Sequence, residues 1–175
     1  MKFLVTTVLM SVLVLAPLQV TAGDHAHPTY IGSDAFESMK QLVGSWEGTI
    51  DMGQGPQTIT ASYKLTAAGS AIVETVFEGA PHEMMSVYHD NSNRKLTMVH
   101  YCAEHNQPRM LLTSMVNDEL RFALAPDADI NVAQDKHIHA AVLRINGKNE
   151  MVHRWTSYEG GKEKQVVEIS YTRTQ

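Results

Sequence analysis

Apolar and polar residues alternate along most of the chain from residue 45 onward. In most runs nearly every second side chain is apolar, which is the pattern of a strand with one buried face. Residues that favour turns, mainly Gly, Pro, Asn and Asp, separate nearly all of the runs. The pattern predicts ten strands, over residues 45–52, 58–66, 70–78, 82–90, 94–102, 109–115, 119–125, 136–146, 150–158 and 163–172.

The connections between these strands are short and carry hairpin chemistry. Ala68-Gly69, Asn146-Gly147 and Gly160-Gly161 are turn sequences, and the Asn-Gly pair favours a type I′ turn. No helical pattern lies between the strands. We therefore predict an all-β fold, an antiparallel up-and-down β-barrel of roughly ten strands, because closure removes the exposed edge strands of a meander.

A short N-terminal helix is predicted before the first strand, over residues 34–43. Ser33 or Asp34 can cap its first turn, and Gly44 can end it. Its apolar residues recur at spacings of three and four, so that one face of the helix can pack against the barrel.

The first 22 residues have the features of a secretory signal peptide. Lys2 precedes an apolar run that Pro17 interrupts, and Val20 and Ala22 stand at the positions that signal peptidase reads. The run is too short for a membrane-spanning helix, which needs about 20 apolar residues. We expect cleavage after Ala22, a secreted or periplasmic protein, and no membrane span after processing. A flexible segment over residues 23–33 would then precede a barrel domain over residues 34–175.

Charge and cysteine content restrict the partners and the sources of stability. The 175 residues include 14 Lys and Arg against 19 Asp and Glu, a net charge of -5 without a basic patch. Nucleic acid is therefore not expected as a partner. A single cysteine, Cys102, cannot form an internal disulfide, so the core must stabilise the fold unaided. The sequence leaves open whether the protein forms a homo-oligomer.

A barrel of about ten strands is wider than its own side chains fill, so we expect a lumen that holds a small ligand. Alternation places Ile59, Ala61, Tyr63 and Leu65 inward on one strand, and Leu96, Met98, His100 and Cys102, then Leu120, Phe122 and Leu124, then Met151, His153 and Trp155 on three others. From these we select Tyr63, Met98, His100, His153 and Trp155 as ligand-binding residues. The alternative is that the two histidines are core residues bonded to polar neighbours.

The segment Gly44-Ser45-Trp46-Glu47-Gly48 resembles the Gly-x-Trp start of calycin-type barrels, which include lipocalins, fatty-acid-binding proteins and nitrobindin-like proteins. The resemblance implies that Trp46 closes one barrel end against a basic residue of the last strand. Arg173 is placed for that role, through a cation–π contact. Residues 100–110 also resemble a segment of bacterial exported lipocalin-like proteins of unassigned activity.

Two clusters inside the barrel domain suggest a metal or haem. Cys102, His105 and Met110 have the ligand spacing of a blue-copper loop. In a cupredoxin only the final strand follows that loop, whereas about 65 residues follow Met110 here. The alternative is an inert, buried Cys102 in a loop across the barrel mouth. His137 and His139 lie in a stretch similar to the one that supplies the iron-binding histidine of nitrobindin-like haem barrels.

In that family the stretch ends the chain, whereas two more predicted strands follow it here. One hypothesis is that His137, His139 or His153 binds haem. The alternative is that His137 and His139 form a solvated or metal-scavenging pair at the rim of the barrel.

A third metal site depends on processing. After cleavage at Ala22, the chain would begin Gly23-Asp24-His25, whose amine, two amides and imidazole can surround Cu(II) in a square plane. His27 would add a further ligand. The alternative is a disordered tail without a metal.

The sequence contains no nucleophile elbow or paired carboxylates, so it favours a binding protein over an enzyme. We expect an exported barrel that holds a small apolar or amphipathic molecule in its lumen. Three alternatives are left open: a haem- or copper-binding barrel, a structural cell-envelope module with a filled lumen, and an esterase or isomerase that uses His100 or His153 as a base.

Overall fold

The computed structural model of the chain describes residues 28–53 and 55–174. The predicted signal peptide and the candidate copper ligands Gly23, Asp24 and His25 lie outside the described residues. In the described part, a short helix α1 (Asp34–Lys40) precedes ten strands. The strands are β1 (Gly44–Asp51), β2 (Pro56–Thr66), β3 (Ala71–Val76), β4 (Met84–Asp90), β5 (Leu96–Tyr101), β6 (Arg109–Val116), β7 (Glu119–Leu124), β8 (His137–Ile145), β9 (Glu150–Glu159) and β10 (Lys162–Arg173).

The ten strands form one closed antiparallel barrel, as the alternation predicted. Each strand pairs with its neighbours in sequence, and β1 pairs with β10 to close the ring. At that seam Trp46 lies opposite Arg173 and Gly48 lies opposite Tyr171. Among the residues described, no helix is long and apolar enough to cross a membrane.

One end of the barrel is sealed by the segment that enters β1, and we call it the closed end. The Trp46 indole N–H donates to the carbonyl of Leu42 at 2.8 Å, and the Arg173 guanidinium carbon lies 4.1 Å from the indole ring centroid. The same guanidinium donates to the carbonyls of Val43 (2.8 Å) and Gln41 (2.5 Å). Arg173 therefore holds both the indole ring and the backbone that covers it.

Helix α1 is shorter than predicted. The N–H groups of Gln41, Leu42 and Val43 bond three residues back instead of four, so the α-helix ends at Lys40 and a tighter turn leads into β1. Its start is as expected, because the Ser33 hydroxyl caps the helix and also donates to Asp90 at 2.7 Å. These bonds fix α1 against the end of β4.

The other end, where β1 ends and β2 begins, is the mouth. The predicted alternation of inward- and outward-facing side chains holds in the middle of the barrel and fails near its two ends. Leu65, predicted to face inward, is 39% exposed because β2 runs past the core at the closed end. Cys102, predicted on the inner face of a strand, instead follows β5 and is half-buried at the mouth.

A β-bulge in β8 also interrupts the alternation. The pairing with β9 shifts between Ile138 and Ala140, so His139 is the extra residue. Without the bulge, His137 and His139 would share the inner face with Ala141. The bulge instead turns Ile138 inward on the mouth side.

Candidate ligand-binding site

Two contiguous cavities open the mouth end of the barrel. The outer cavity has a volume of about 500 Å³ and the inner cavity about 100 Å³. They share five lining residues, which join them into one funnel: Met52, Phe77, Met84, Ile138 and Trp155. Two of these residues directly follow β1 and β3, and the other three lie on β4, β8 and β9, so segments from around the whole barrel form the funnel.

The lining of the funnel is partly polar in the outer cavity and almost entirely apolar in the inner cavity. The outer cavity carries His82, Glu104, Lys136 and His137 among its lining residues, and Lys136 forms an ion pair with Glu104. The inner cavity is lined by aliphatic and aromatic side chains together with a single histidine, His100. A ligand that enters fully must therefore place an apolar part in the inner cavity.

Beneath the inner cavity, a buried carboxylate gathers three donors. Glu74 is 1% exposed, and its two oxygens accept hydrogen bonds from the Tyr63 hydroxyl (2.6 Å), the Tyr88 hydroxyl (2.8 Å) and His153 Nδ1 (3.1 Å). We call Tyr63, Glu74, Tyr88 and His153 the Glu74 cluster. It satisfies a charge that would otherwise be too costly to bury.

The electrostatics of the cluster keep Glu74 ionised. Burial alone raises the pKa of this carboxyl, but attraction to His153 and the hydrogen bonds from His153, Tyr63 and Tyr88 lower the pKa to about 2. Burial and the charge of Glu74 raise the pKa of both tyrosines well above the usual value. The two phenols therefore stay neutral donors.

His100 joins the cluster to the cavity. Register pairs Tyr63 with Glu74, Glu74 with Ser86, and Ser86 with His100, in one row across β2 to β5. His100 Nδ1 lies 3.0 Å from Ser86 Oγ. Burial lowers the pKa of His100 to about 4, with a further small decrease from His153 that nearby Glu74 opposes, so its ring is neutral at neutral pH.

Trp155 separates the funnel from the cluster. Its ring centroid lies 4.9 Å from that of His100 and 4.1 Å from that of His153. His153 Nε2 is buried without a hydrogen-bond partner among the described residues. Trp155 therefore packs over a histidine whose second nitrogen is unused.

The structure separates the five predicted ligand-binding residues into two groups. His100 and Trp155 line the inner cavity. Tyr63, Met98 and His153 are fully buried and line neither cavity. The physical reason is filling: large side chains occupy the barrel beyond His100, including the paired residues Ile72, Tyr88, Met98 and Met110.

The predicted metal ligands stay apart or bond to one another. Met110 lies in the core, His105 is exposed in a turn, and burial raises the pKa of the Cys102 thiol. His137 Nε2 lies 3.1 Å from His139 Nδ1, and the His139 ring stacks on Tyr158 with centroids 4.0 Å apart. In the part of the chain that is described, no group of three or more His, Cys, Asp or Glu residues is arranged to hold a metal ion.

Glu74 and Ser86 are residues of this candidate site that the sequence analysis did not select. Glu74 stands between Ile72 and Val76, at an inward position of a strand that otherwise alternates regularly. A charged residue on the apolar face of a strand was the available signal, because burial of such a residue requires partners.

Comparison with known proteins supports the fold alone. No family model matches this chain, and no curated protein matches it. Among solved structures, the chain is similar to a protein of unknown function from the DUF3598 family of Nostoc punctiforme, with a TM-score of 0.52 and 12% identity. The match covers 78% of this chain and 49% of that one, so this chain spans about half the length of that structure.

Proposed function

We propose that this protein is an exported, calycin-like barrel that binds one small apolar or amphipathic molecule in the funnel at its mouth. The observation that carries the proposal is the pair of contiguous cavities, about 500 and about 100 Å³, in a barrel whose other end is sealed and filled. A barrel built only as a structural module has no need for an apolar opening of this size.

The size and lining of the funnel fit this function. Pockets for small molecules commonly measure about 300 to 1,000 Å³ and are mostly apolar with a few placed polar groups. Here the apolar walls surround His100, while the charged groups Glu104 and Lys136 stay in the outer cavity. An amphipathic ligand would lie with its apolar part inward.

Two further features support export and the calycin relationship. The signal-like residues 1–22 support export. The stacking of Arg173 on Trp46 at the closed end agrees with the Gly-x-Trp resemblance.

Tryptophan fluorescence provides a direct test, because the only two tryptophans lie at opposite ends of the barrel. Bromooctanol is a suitable probe, since it is amphipathic and its bromine quenches an indole only near contact. In Trp46→Phe, where Trp155 is the only emitter, we expect saturable quenching. In Trp155→Phe, where Trp46 at the closed end is the only emitter, we expect none.

A pair of charge substitutions checks that binding occurs in the funnel. Ile138→Lys places an ammonium group where both cavities meet and should abolish quenching. Val166→Lys adds the same charge at a position on β10 that lines neither cavity, and should leave quenching unchanged. Absence of saturable quenching in the Trp46→Phe protein would favour the structural module with a filled lumen.

A further inference from the structure

Phe77 adopts a backbone conformation that an aromatic residue rarely takes. It directly follows β3, and its φ of 58° lies in the left-handed region, where a bulky side chain is strained. Among the described non-glycine residues with a positive φ, it is the only one with a large apolar side chain. Gly79, two residues further on, has a φ of 77° without strain, because it lacks a Cβ atom. Strain of this kind clusters where the side chain contacts a ligand.

Contacts of its backbone and of its ring keep the strained residue in place. The Phe77 N–H donates to the carbonyl of Thr60 in β2 at 3.4 Å, and the Phe77 carbonyl accepts a hydrogen bond from the N–H of Ala80 at 2.9 Å. The Phe77 ring packs against the ring of His82, with centroids 4.5 Å apart and an angle of 55° between the planes. Backbone and ring are therefore both anchored, and the side chain is held in one orientation.

The ring lies where the two cavities of the funnel meet. Phe77 is one of the five residues that line both cavities. Met52 and Met84 are also among them, and an unbranched methionine side chain can move aside for a ligand. Ile138 and Trp155 complete the five and project from strands of the barrel wall. Phe77 is therefore the rigid side chain that a turn, instead of a strand, places at this junction.

We propose that Phe77 selects the ligand by the width of the part that enters the inner cavity, and that the ligand is an amphipathic molecule whose apolar end is an unbranched alkyl chain. The volume agrees, because a dry protein cavity of about 150 Å³ accepts benzene, whereas the inner cavity holds only about 100 Å³. A short straight chain fits there, and a branched or ring-shaped end must stay in the outer cavity. This inference rests on the proposed function and specifies the ligand class of the same site.

Two isomeric alcohols that differ in branching test the proposal. Straight-chain octanol is compared with the dimethylhexanol isomer that has a hydroxyl group at one end and a tert-butyl group at the other. We expect the wild-type protein to bind straight-chain octanol about tenfold more tightly, as measured by calorimetry, and this preference to fall to about twofold in Phe77→Ala. Met52→Ala also shortens a side chain at the junction, but a flexible one, and should keep the wild-type preference.

A second substitution separates the effect of the ring from that of the backbone. Phe77→Gly removes the ring as Phe77→Ala does, but glycine adopts the left-handed conformation without strain. Both variants should therefore show the reduced preference, and Phe77→Gly should have the higher melting temperature. If Phe77→Ala melts at the same temperature or a higher one, residue 77 is not held in this conformation, and the proposal of an anchored ring is overturned.

The possible outcomes separate this inference from the function on which it rests. If the wild-type protein binds neither straight-chain octanol nor bromooctanol, the proposed function fails. If it binds straight-chain octanol and Phe77→Ala keeps the wild-type preference, only the inference about Phe77 is overturned. An equal loss of preference in Met52→Ala would overturn it as well, because the width would then depend on the junction as a whole.

Discussion

Glu74 is an ionised carboxylate held inside the barrel by three side chains, two of them neutral phenols. Glu74 stabilises the fold mainly as a hydrogen-bond acceptor, because each of its buried donors would lose this partner if the carboxylate were removed. Tyr63 and Tyr88 are fully buried, and their hydroxyl groups have no access to bulk water. The cluster thus fixes the relative positions of β2, β3, β4 and β9.

Replacement of Glu74 by Ala should lower the free energy of unfolding by about 3 to 5 kcal/mol, since it leaves a buried histidine and two buried phenols without an acceptor. Urea denaturation measures the change. Glu78→Ala, an exposed glutamate just after the same strand, serves as the control and should cost less than about 0.5 kcal/mol. Equal effects at both positions would contradict the role assigned to the cluster.

The stability of the protein should fall as pH decreases from 6.5 to 4. Folding lowers the pKa of His100 from 6.5 to about 4, so the unfolded chain binds more protons in that interval and becomes favoured. The groups that face His100 are Ser86, Glu74, His153 and Trp155. Glu74 continues the loss at lower pH, because its folded pKa of about 2 is below its usual value of 4.5.

The half-buried carboxylates of Glu37 and Glu119 also have lowered pKa values and act in the same direction, so the quantity to measure is the difference between two proteins. Between pH 7 and pH 4, the free energy of unfolding should decrease less in His100→Phe than in the wild type, by at most about 3 kcal/mol. Parallel urea curves at several pH values would measure it. Identical slopes for the two proteins would show that His100 does not titrate in this range.

At the seam between β1 and β10, the two strands approach each other so closely that only glycine fits at one position of β1. A Cβ atom placed on Gly48 would lie 2.7 Å from the carbonyl oxygen of Ser170 and 2.9 Å from side-chain atoms of Ile169 and Tyr171. The first of these contacts is with backbone and cannot be relieved by a rotamer change. Glycine at this position therefore lets the ring close.

Gly48→Ala should destabilise the barrel by about 1 to 3 kcal/mol, because the added methyl group pushes β1 away from β10. Thr49→Ala, one residue along the same strand and exposed, is the control and should have a much smaller effect. Thermal unfolding followed by circular dichroism compares the two. A melting temperature of Gly48→Ala at or above that of Thr49→Ala would contradict the close approach.

The strands could be predicted from the sequence because alternation is a local property, and the predicted bounds lie within a few residues of the observed ones. The contact between Trp46 and Arg173 was predicted from the resemblance of residues 44–48 to the Gly-x-Trp start of calycin-type barrels, and the structure contains it. The row from Tyr63 through Glu74 and Ser86 to His100 was not, because it depends on the register between four strands. The bulge at His139 was hidden for the same reason: it is visible only in the pairing with β9.

At the scale of the whole barrel, the two ends have separate tasks. The closed end is packed and holds Trp46 at 1% exposure, whereas the mouth keeps its volume open. Changes at one end should therefore affect stability, and changes at the other should affect binding.

Trp46→Ala tests this separation. We expect the free energy of unfolding to fall by about 3 to 5 kcal/mol, because the ring leaves a cavity that strands joined in a closed barrel cannot fill by collapse. Bromooctanol affinity, measured through Trp155 below the melting temperature, should stay within about twofold of that of Trp46→Phe. A melting temperature close to that of Trp46→Phe would remove the evidence that the indole seals the barrel.

The up-and-down order of the strands has a consequence for how such a protein can change. Every second connection reaches the mouth, among them those after β3, β5 and β7, while the intervening hairpins and α1 gather at the sealed end. The loops at the mouth and the connections at the sealed end therefore alternate along the chain. If the funnel binds a ligand as proposed, exchange of one mouth loop at a time should alter the specificity and leave the packing of the sealed end unchanged.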